Sequence, residues 1–269
     1  MVNFLFWNIM RQPLGEVIAQ LVAEHDVDVL MLAECEIASG QLMQFLNQDF
    51  RKRFVSSFGT NHKIKIFSCY DKELHTEYED SNLTVRQLAL PDREAILLAA
   101  LHLPSKQYAN GTAQLFDCIH AMDAIRKRET AVRHARTVLV GDFNANPFEP
   151  GLTSTLGFHA VMSRRIARRG SRQVGGKKYD FFYNPMWGLL GDGSPGPPGS
   201  YYHDSTGEEA IYWHLFDQVL VRPCLLDRFD NRDLKILSGW AGGSLLSDNG
   251  TPRKARYSDH LPLFFRLSI

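Results

Sequence analysis

No stretch of this 269-residue chain approaches the roughly 20 consecutive apolar residues that span a bilayer, so no transmembrane helix is expected. Cysteine is scarce. Cys35, Cys69, Cys118 and Cys224 lie far apart and form no C-x-x-C pair, which argues against a zinc site and predicts reduced, structural thiols. Net charge is missing too: 30 Lys and Arg balance 30 Asp and Glu, so any preference for an anionic partner has to be local. The opening MVNFLFWNIM has neither a basic region nor a long apolar stretch and reads as a strand rather than a secretory signal. These absences predict a cytoplasmic protein with no stable membrane association. Internal repeats are absent as well. What is present is an ordinary globular composition, 44% hydrophobic and 22% charged, enough to bury a core. The length suits one domain over residues 1–269.

Apolar runs of strand length cover residues 4–7, 27–32, 64–67, 95–101, 138–140, 216–221 and 263–267. Helical spacing links Leu14, Val17, Ile18, Leu21 and Val22, with Pro13 suited to the first turn. Leu42, Phe45 and Leu46 predict a second helix. Leu115, Cys118, Ile119, Met122 and Ile125 predict a third. Strands and helices mix without strict βαβ alternation, which favours an α/β fold of sheets covered by helices.

Polar residues follow these runs with a regularity that needs explaining. Asn8 follows the first and Glu34 the second; His102 ends AILLAAL; Asp142 and Asn144 follow TVLVG in GDFNANPFEP. Asp217 opens FDQVLV, and Asp259 and His260 precede the last run in SDHLP. Each has an ordinary structural alternative: Asp and Asn make turns with their own backbone, and a histidine can sit satisfied in a core. All six alternatives would have to hold together, whereas one functional site at a shared strand edge explains them at once.

The ordered set WN, LxE, HLP, GDFNxxP, FDQVLV and SDHLP resembles the endonuclease/exonuclease/phosphatase superfamily. That group includes pancreatic-type deoxyribonucleases, abasic-site endonucleases, neutral sphingomyelinases and inositol polyphosphate 5-phosphatases. The resemblance implies a four-layer α/β sandwich with two packed mixed sheets flanked by helices. It also implies a magnesium- or manganese-dependent phosphoester hydrolase. Glu34 would hold the metal, with Asn8 and Asp259 contributing. Asp142 would orient and deprotonate water, Asn144 would hold phosphate or water, and His260 would stabilise charge on phosphate, oriented by Asp217. His102 would be a second phosphate-contacting histidine, where abasic-site endonucleases usually carry a tyrosine. Met10 departs from the family's nucleases, some of which have an acid there, and this removes one source of a second metal ligand.

Two segments bear on substrate. MSRRIARRGSRQVGGKK, residues 162–178, contains Arg164, Arg165, Arg168 and Arg169 and no acid. It reads as a basic loop able to track a nucleic-acid backbone, or as a solvated loop. The second is a loop at about 184–213, Gly/Pro-rich at GDGSPGPPG, with aromatics that include Tyr201 and Tyr202. Those rings could stack on bases or pack as a lid. Together these features favour a nuclease acting on DNA or RNA by in-line water attack. A phosphodiesterase or phosphatase on a lipid or small phosphate is the alternative, and a non-catalytic binding module ranks below both.

Overall fold

In the computed structural model every residue is described except 49, 50, 58, 71, 106–110, 205–207 and 209. The expected runs form strands. One six-stranded sheet has the order β16 (Lys235–Ile236), β19 (Leu263–Leu267), β1 (Val2–Asn8), β2 (Val29–Ala33), β4 (Ile64–Ser68), β3 (Val55–Ser56). A seven-stranded sheet has the order β5 (Leu74–Glu79), β6 (Leu83–Leu88), β7 (Ile96–His102), β8 (Thr137–Asp142), β15 (Asp217–Val221), β12 (Phe182–Tyr183), β9 (Ala160–Val161). Three hairpins stand outside the sheets: β10 (Ser171–Val174) with β11 (Lys177–Asp180), β13 (Tyr201–Tyr202) with β14 (Trp213–His214), and β17 (Gly239–Trp240) with β18 (Gly243–Ser244).

Strand alternation explains the layers. In β1, Phe4 and Phe6 point between the sheets, where they meet Met31, Leu98, Val140, Val219 and Phe265. Leu5 and Trp7 point outward beneath α1 (Gly15–Glu24) and α2 (Ser39–Leu46), among Ile18, Leu21 and Leu42. In the other sheet Leu97, Ala99 and Leu139 face Cys118, Met122 and Ile125 of α3 (Gly111–Ala131). The central strands are buried on both faces, so they read as unbroken apolar runs. The result is the expected four-layer sandwich. Each fully buried Leu or Phe contributes about 1.5–3 kcal/mol.

Two local expectations need correction. Pro13 lies outside the first turn, because Leu14 is already the N-cap of α1. The basic segment 162–178 is not a loop: it contains the short helix α5 (Arg164–Ala167) and most of the β10–β11 hairpin, whose tight turn uses Gly175 and Gly176 at positive φ. The loop expected at 184–213 holds a 3₁₀ turn at Pro185–Leu189 and the β13–β14 hairpin, and residues 205–207 and 209 of it lie outside the described residues. All four cysteines are unpaired. Among the described residues no helix is long and apolar enough to cross a membrane.

Two buried ion pairs brace the seven-stranded sheet. Arg222 donates to both Glu129 oxygens at 2.8 Å, and Thr137 Oγ1 donates to Glu129 Oε1 at 2.6 Å. The Arg222 guanidinium also lies 4.0 Å over the Phe182 ring. Removing one partner strands the other charge, so Glu129→Ala is expected to cost about 3–5 kcal/mol in denaturant unfolding. In the second pair, Glu79 accepts from Arg86 Nη2 at 2.5 Å, and Thr60 Oγ1 donates to it at 2.9 Å. Burial would raise the Glu79 pKa, but the Thr60 N–H and the Arg86 guanidinium prevail and hold it down at about 2. A depressed carboxylate stabilises above its unfolded pKa and loses that contribution as pH falls toward the folded value. Stability should therefore drop between about pH 4.5 and 2. Acid unfolding of Glu79→Gln should show a shallower drop over that window.

Candidate active site

Strand register builds the site. β1 and β2 run parallel with Asn8 beside Ala33, so Glu34 emerges next to Asn8. β7 and β8 run parallel with His102 beside Asp142. β15 runs antiparallel to β8 and begins with Asp217 opposite Asp142. β19 is antiparallel to β1, which carries the preceding Asp259 and His260 to the same edge. Ligand sites in α/β sheets form at such carboxyl ends. Here they enclose a cleft of about 510 Å³, lined among others by Asn8, Glu34, His102, Asp142, Asn144 and His260.

The backbone at this edge is unusual. Met10, Arg11, Glu34 and Asn144 all have φ between 48° and 59°, a region that non-glycine residues rarely adopt. Such strain persists only where surroundings hold it, and it collects at functional sites. Gln114 of α3 supplies part of the hold: its Nε2 donates to the Asn144 carbonyl at 2.5 Å. Gly141 answers why GDFN begins with glycine. It has φ 154°, and a Cβ there would sit 2.0 Å from the Leu101 carbonyl oxygen. Gly141→Ala should therefore push β8 away from β7 and displace Asp142. A loss of activity together with a lowered melting temperature is the expected measurement.

At the centre of the site is Asp142 Oδ2. Asn8 Nδ2 donates to it at 3.0 Å, and His260 Nε2 and His102 Nε2 each lie 3.8 Å away. His260 Nδ1 donates to Asp217 Oδ2 at 2.8 Å. Burial would lower the His260 pKa, but the charges of Asp217 and Asp142 and the hydrogen bond to Asp217 outweigh it and raise it, favouring imidazolium. Asp142, Asp217 and His260 bring ligand-type atoms within 4.8 Å of one another, a group that could hold a metal ion or share a proton. His102 behaves differently: burial lowers its pKa despite nearby Asp142 and Glu34, which favours neutral imidazole.

Glu34 and Asp259, like Asp142, present hard oxygen donors to the cleft. Arg11 Nε stands 3.6 Å from Glu34, and Lys254 Nζ lies 2.9 Å from Asp259. Carboxylates that gather cations in an open polar cleft fit magnesium or manganese, which take few protein ligands and keep waters. Asn8 stands between the carboxylates of Asp142 and Glu34. Its Oδ1 accepts from the Met10 N–H at 3.0 Å, so its amide N–H faces Asp142 at 3.0 Å and Glu34 at 3.4 Å. It links the two carboxylates. Asn144 Nδ2 donates to the Leu103 carbonyl at 2.8 Å, and its N–H donates to Asp142 Oδ1 at 2.9 Å.

Several further residues support the site. Ser258 Oγ donates to the Asn8 carbonyl at 2.7 Å and accepts from the His260 N–H at 3.1 Å. Trp7 Nε1 donates to the His260 carbonyl at 2.9 Å. Ser200 Oγ accepts from the Asp217 N–H at 3.0 Å. Lys63 and Lys254 stand on the cleft walls. Lys63 directly precedes β4, whereas Lys254 lies well before β19 and carries no such signal.

The expected substrate residues separate. Tyr201 lines the cleft, bridges to His260 through the backbone, and puts its ring 4.6 Å from the imidazole. Tyr202 is absent from the lining and packs on Trp213 at 5.3 Å. None of Arg164, Arg165, Arg168 and Arg169 lines the cleft. Arg164 donates to the Leu226 and Phe229 carbonyls, and Arg168 donates to Asp227 at 2.6 Å. Those partners belong to the segment that leaves β15 after Val221, the end remote from Asp217. Arg164 is tied to backbone carbonyls and Arg168 to an exposed acid, partners that charge spacing cannot reveal.

The fold is shared with solved structures of low sequence identity. TDP2 from D. rerio complexed with single-strand DNA product matches at 13% identity and TM-score 0.58, over 100% of this chain and 99% of that one. An AP endonuclease from Archaeoglobus fulgidus matches at 14% and 0.57, over 100% of each chain. The 3′ phosphatase NExo from Neisseria, bound to product DNA hairpin, matches at 15% and 0.56, again over 100% of each. None of the curated proteins matches the chain by sequence. A family model does, over residues 5–260, which takes in every strand-end residue described above. The chain belongs to the Endonuclease/Exonuclease/phosphatase family.

Proposed function

We propose that the protein is a divalent-metal-dependent phosphodiesterase that hydrolyses a nucleic-acid backbone. The observation that carries this reading is the Asp217–His260 pair at 2.8 Å, set against Asp142 in a cleft that also holds Glu34 and Asp259. Glu34 and Asp259 would hold magnesium or manganese, which supplies Lewis-acid charge to a phosphoryl oxygen. Asp142 Oδ2, steadied by Asn8, accepts a proton from water as the water attacks phosphorus; the opposite P–O bond breaks, and the leaving sugar oxygen takes a proton from solvent. His260 offers its Nε2–H to a phosphoryl oxygen and strengthens that bond as charge builds. Asp217 fixes the ring and keeps it charged. Asn144, its amide nitrogen anchored on Leu103, orients phosphate or water.

Nucleic acid is favoured by the DNA-bound TDP2 and NExo relatives and by Lys63 and Lys254 on the cleft walls. A lipid or small phosphate is the second reading, favoured by a histidine at 102 where abasic-site endonucleases usually have tyrosine. The unpaired cysteines fit a reducing, cytoplasmic setting.

The test is hydrolysis of a panel of single- and double-stranded DNA, RNA, sphingomyelin and inositol phosphates, with magnesium or manganese. Glu34→Ala serves as control. Nucleic-acid cleavage that vanishes in the variant is the expected result. Turnover of lipid or small phosphates alone would overturn the substrate and keep the site.

A further inference from the structure

The basic segment is left without a task by its distance from the cleft. β8 climbs from Thr137, beside Arg222, to Asp142, beside the cleft. The five steps between them span about 17 Å. The base of the β10–β11 hairpin lies at the Thr137 end: the Phe181 carbonyl accepts from Arg222 Nη1 at 3.0 Å, and the Phe181 N–H donates to the Gly170 carbonyl at 2.9 Å. Arg172 Nε donates to His159 Nε2 at 2.8 Å, which fixes the hairpin against the strand before it turns. The β10–β11 hairpin is therefore rooted at the pole remote from Asp142.

The cations there divide into two kinds. Arg164 and Arg168 are spent on the 226–229 backbone and on Asp227. Arg165, Arg169 and Lys177 are exposed, and among the described residues no ion pair engages them. Arg165 and Arg169 are four positions apart around α5 and its last turn, so they share a side. Uncompensated charges held on a rigid helix and hairpin form a standing positive field on a protein of zero net charge.

We propose that Arg165, Arg169 and Lys177 form a second anion-binding face, separate from the cleft, whose occupant is the backbone of a polynucleotide being hydrolysed in the cleft. This rests on the nuclease reading above and narrows it to long substrates. Guanidinium groups match phosphate oxygens in a fixed fork, and arginine supplies most of the charge on this face. A strand reaching from the cleft to this face must span more than the length of β8, about 17 Å. An anionic lipid surface is the competing occupant, because Met162, Ile166 and Val174 are also exposed among these cations.

The test uses the triple variant Arg165→Glu, Arg169→Glu, Lys177→Glu in the full chain, with its melting temperature checked against wild type. Binding of single-stranded DNA of about 30 nucleotides, followed by fluorescence anisotropy with chelator present, should weaken about 10-fold or more. The slope of log affinity against log salt should become shallower by about 2. The catalytic efficiency should fall for the long strand and stay at wild-type level for one of about 4 nucleotides. Unchanged affinity and slope in the variant, with wild-type nuclease activity intact, would overturn the second face and leave the nuclease reading standing. Binding to phosphatidylserine vesicles but not to phosphatidylcholine vesicles, lost in the variant while DNA affinity is unchanged, would overturn it in favour of lipid. If wild type neither binds nor cleaves nucleic acid, the nuclease reading fails first and takes this face's occupant with it.

Discussion

Asp142→Asn should lower the hydrolytic rate by about 10²–10⁴-fold while leaving the protein folded. The substitution keeps the shape and removes the proton acceptor. Asp142 Oδ1 accepts from the Asn144 N–H at 2.9 Å, and Oδ2 accepts from Asn8 Nδ2 at 3.0 Å. An amide has one oxygen, so it can keep one of these bonds and must set N–H against N–H at the other. That costs about 1–3 kcal/mol, within the reserve of an ordinary domain. Circular dichroism and a melting curve alongside the kinetics separate the two effects. A variant that melts normally and hydrolyses at the wild-type rate would remove Asp142 from the reaction.

The second large effect belongs to the Asp217–His260 pair. His260→Ala should abolish turnover. Asp217→Asn should act more mildly and with a pH signature. The charge of Asp217 is the leading force that lifts the His260 pKa against burial. A raised histidine is protonated below its folded pKa and loses its proton above it. Removing the Asp217 charge lets that pKa fall, so the alkaline limb of the rate profile should move to lower pH. The double variant should be no slower than His260→Ala alone, because both act through one imidazolium. An unmoved alkaline limb in Asp217→Asn would mean that the pair does not set the charge of the imidazole.

These residues were legible because β-sheet physics is local. Strands buried on both faces leave continuous apolar runs, and the first polar residue after each run marks the sheet edge. β5 and β6 escaped notice because HTEYE and TVRQ mix polar with apolar residues and form no apolar run, although β5 is the edge strand and β6 pairs with β7. The bonding of Arg164 escaped notice for a different reason. Its partners are carbonyls at positions 226 and 229, and a backbone carbonyl at long separation has no signature in a sequence. The same holds for Gln114 on Asn144, and for Asn8, where only geometry tells whether an amide offers its oxygen or its nitrogen. The gathering of polar residues at one sheet edge was readable, whereas their hydrogen-bond polarity and the second ring of supports were not.

The most direct measurement is the dependence of single-stranded DNA hydrolysis on magnesium concentration, for wild type and Glu34→Gln. If Glu34 anchors the metal in a cleft run by Asp142 and His260, wild type should be silent in chelator and saturate with magnesium. Glu34→Gln should then need about 10-fold or more metal to reach half-maximal rate. Hydrolysis that persists in chelator, or a magnesium curve that Glu34→Gln leaves in place, would contradict the account.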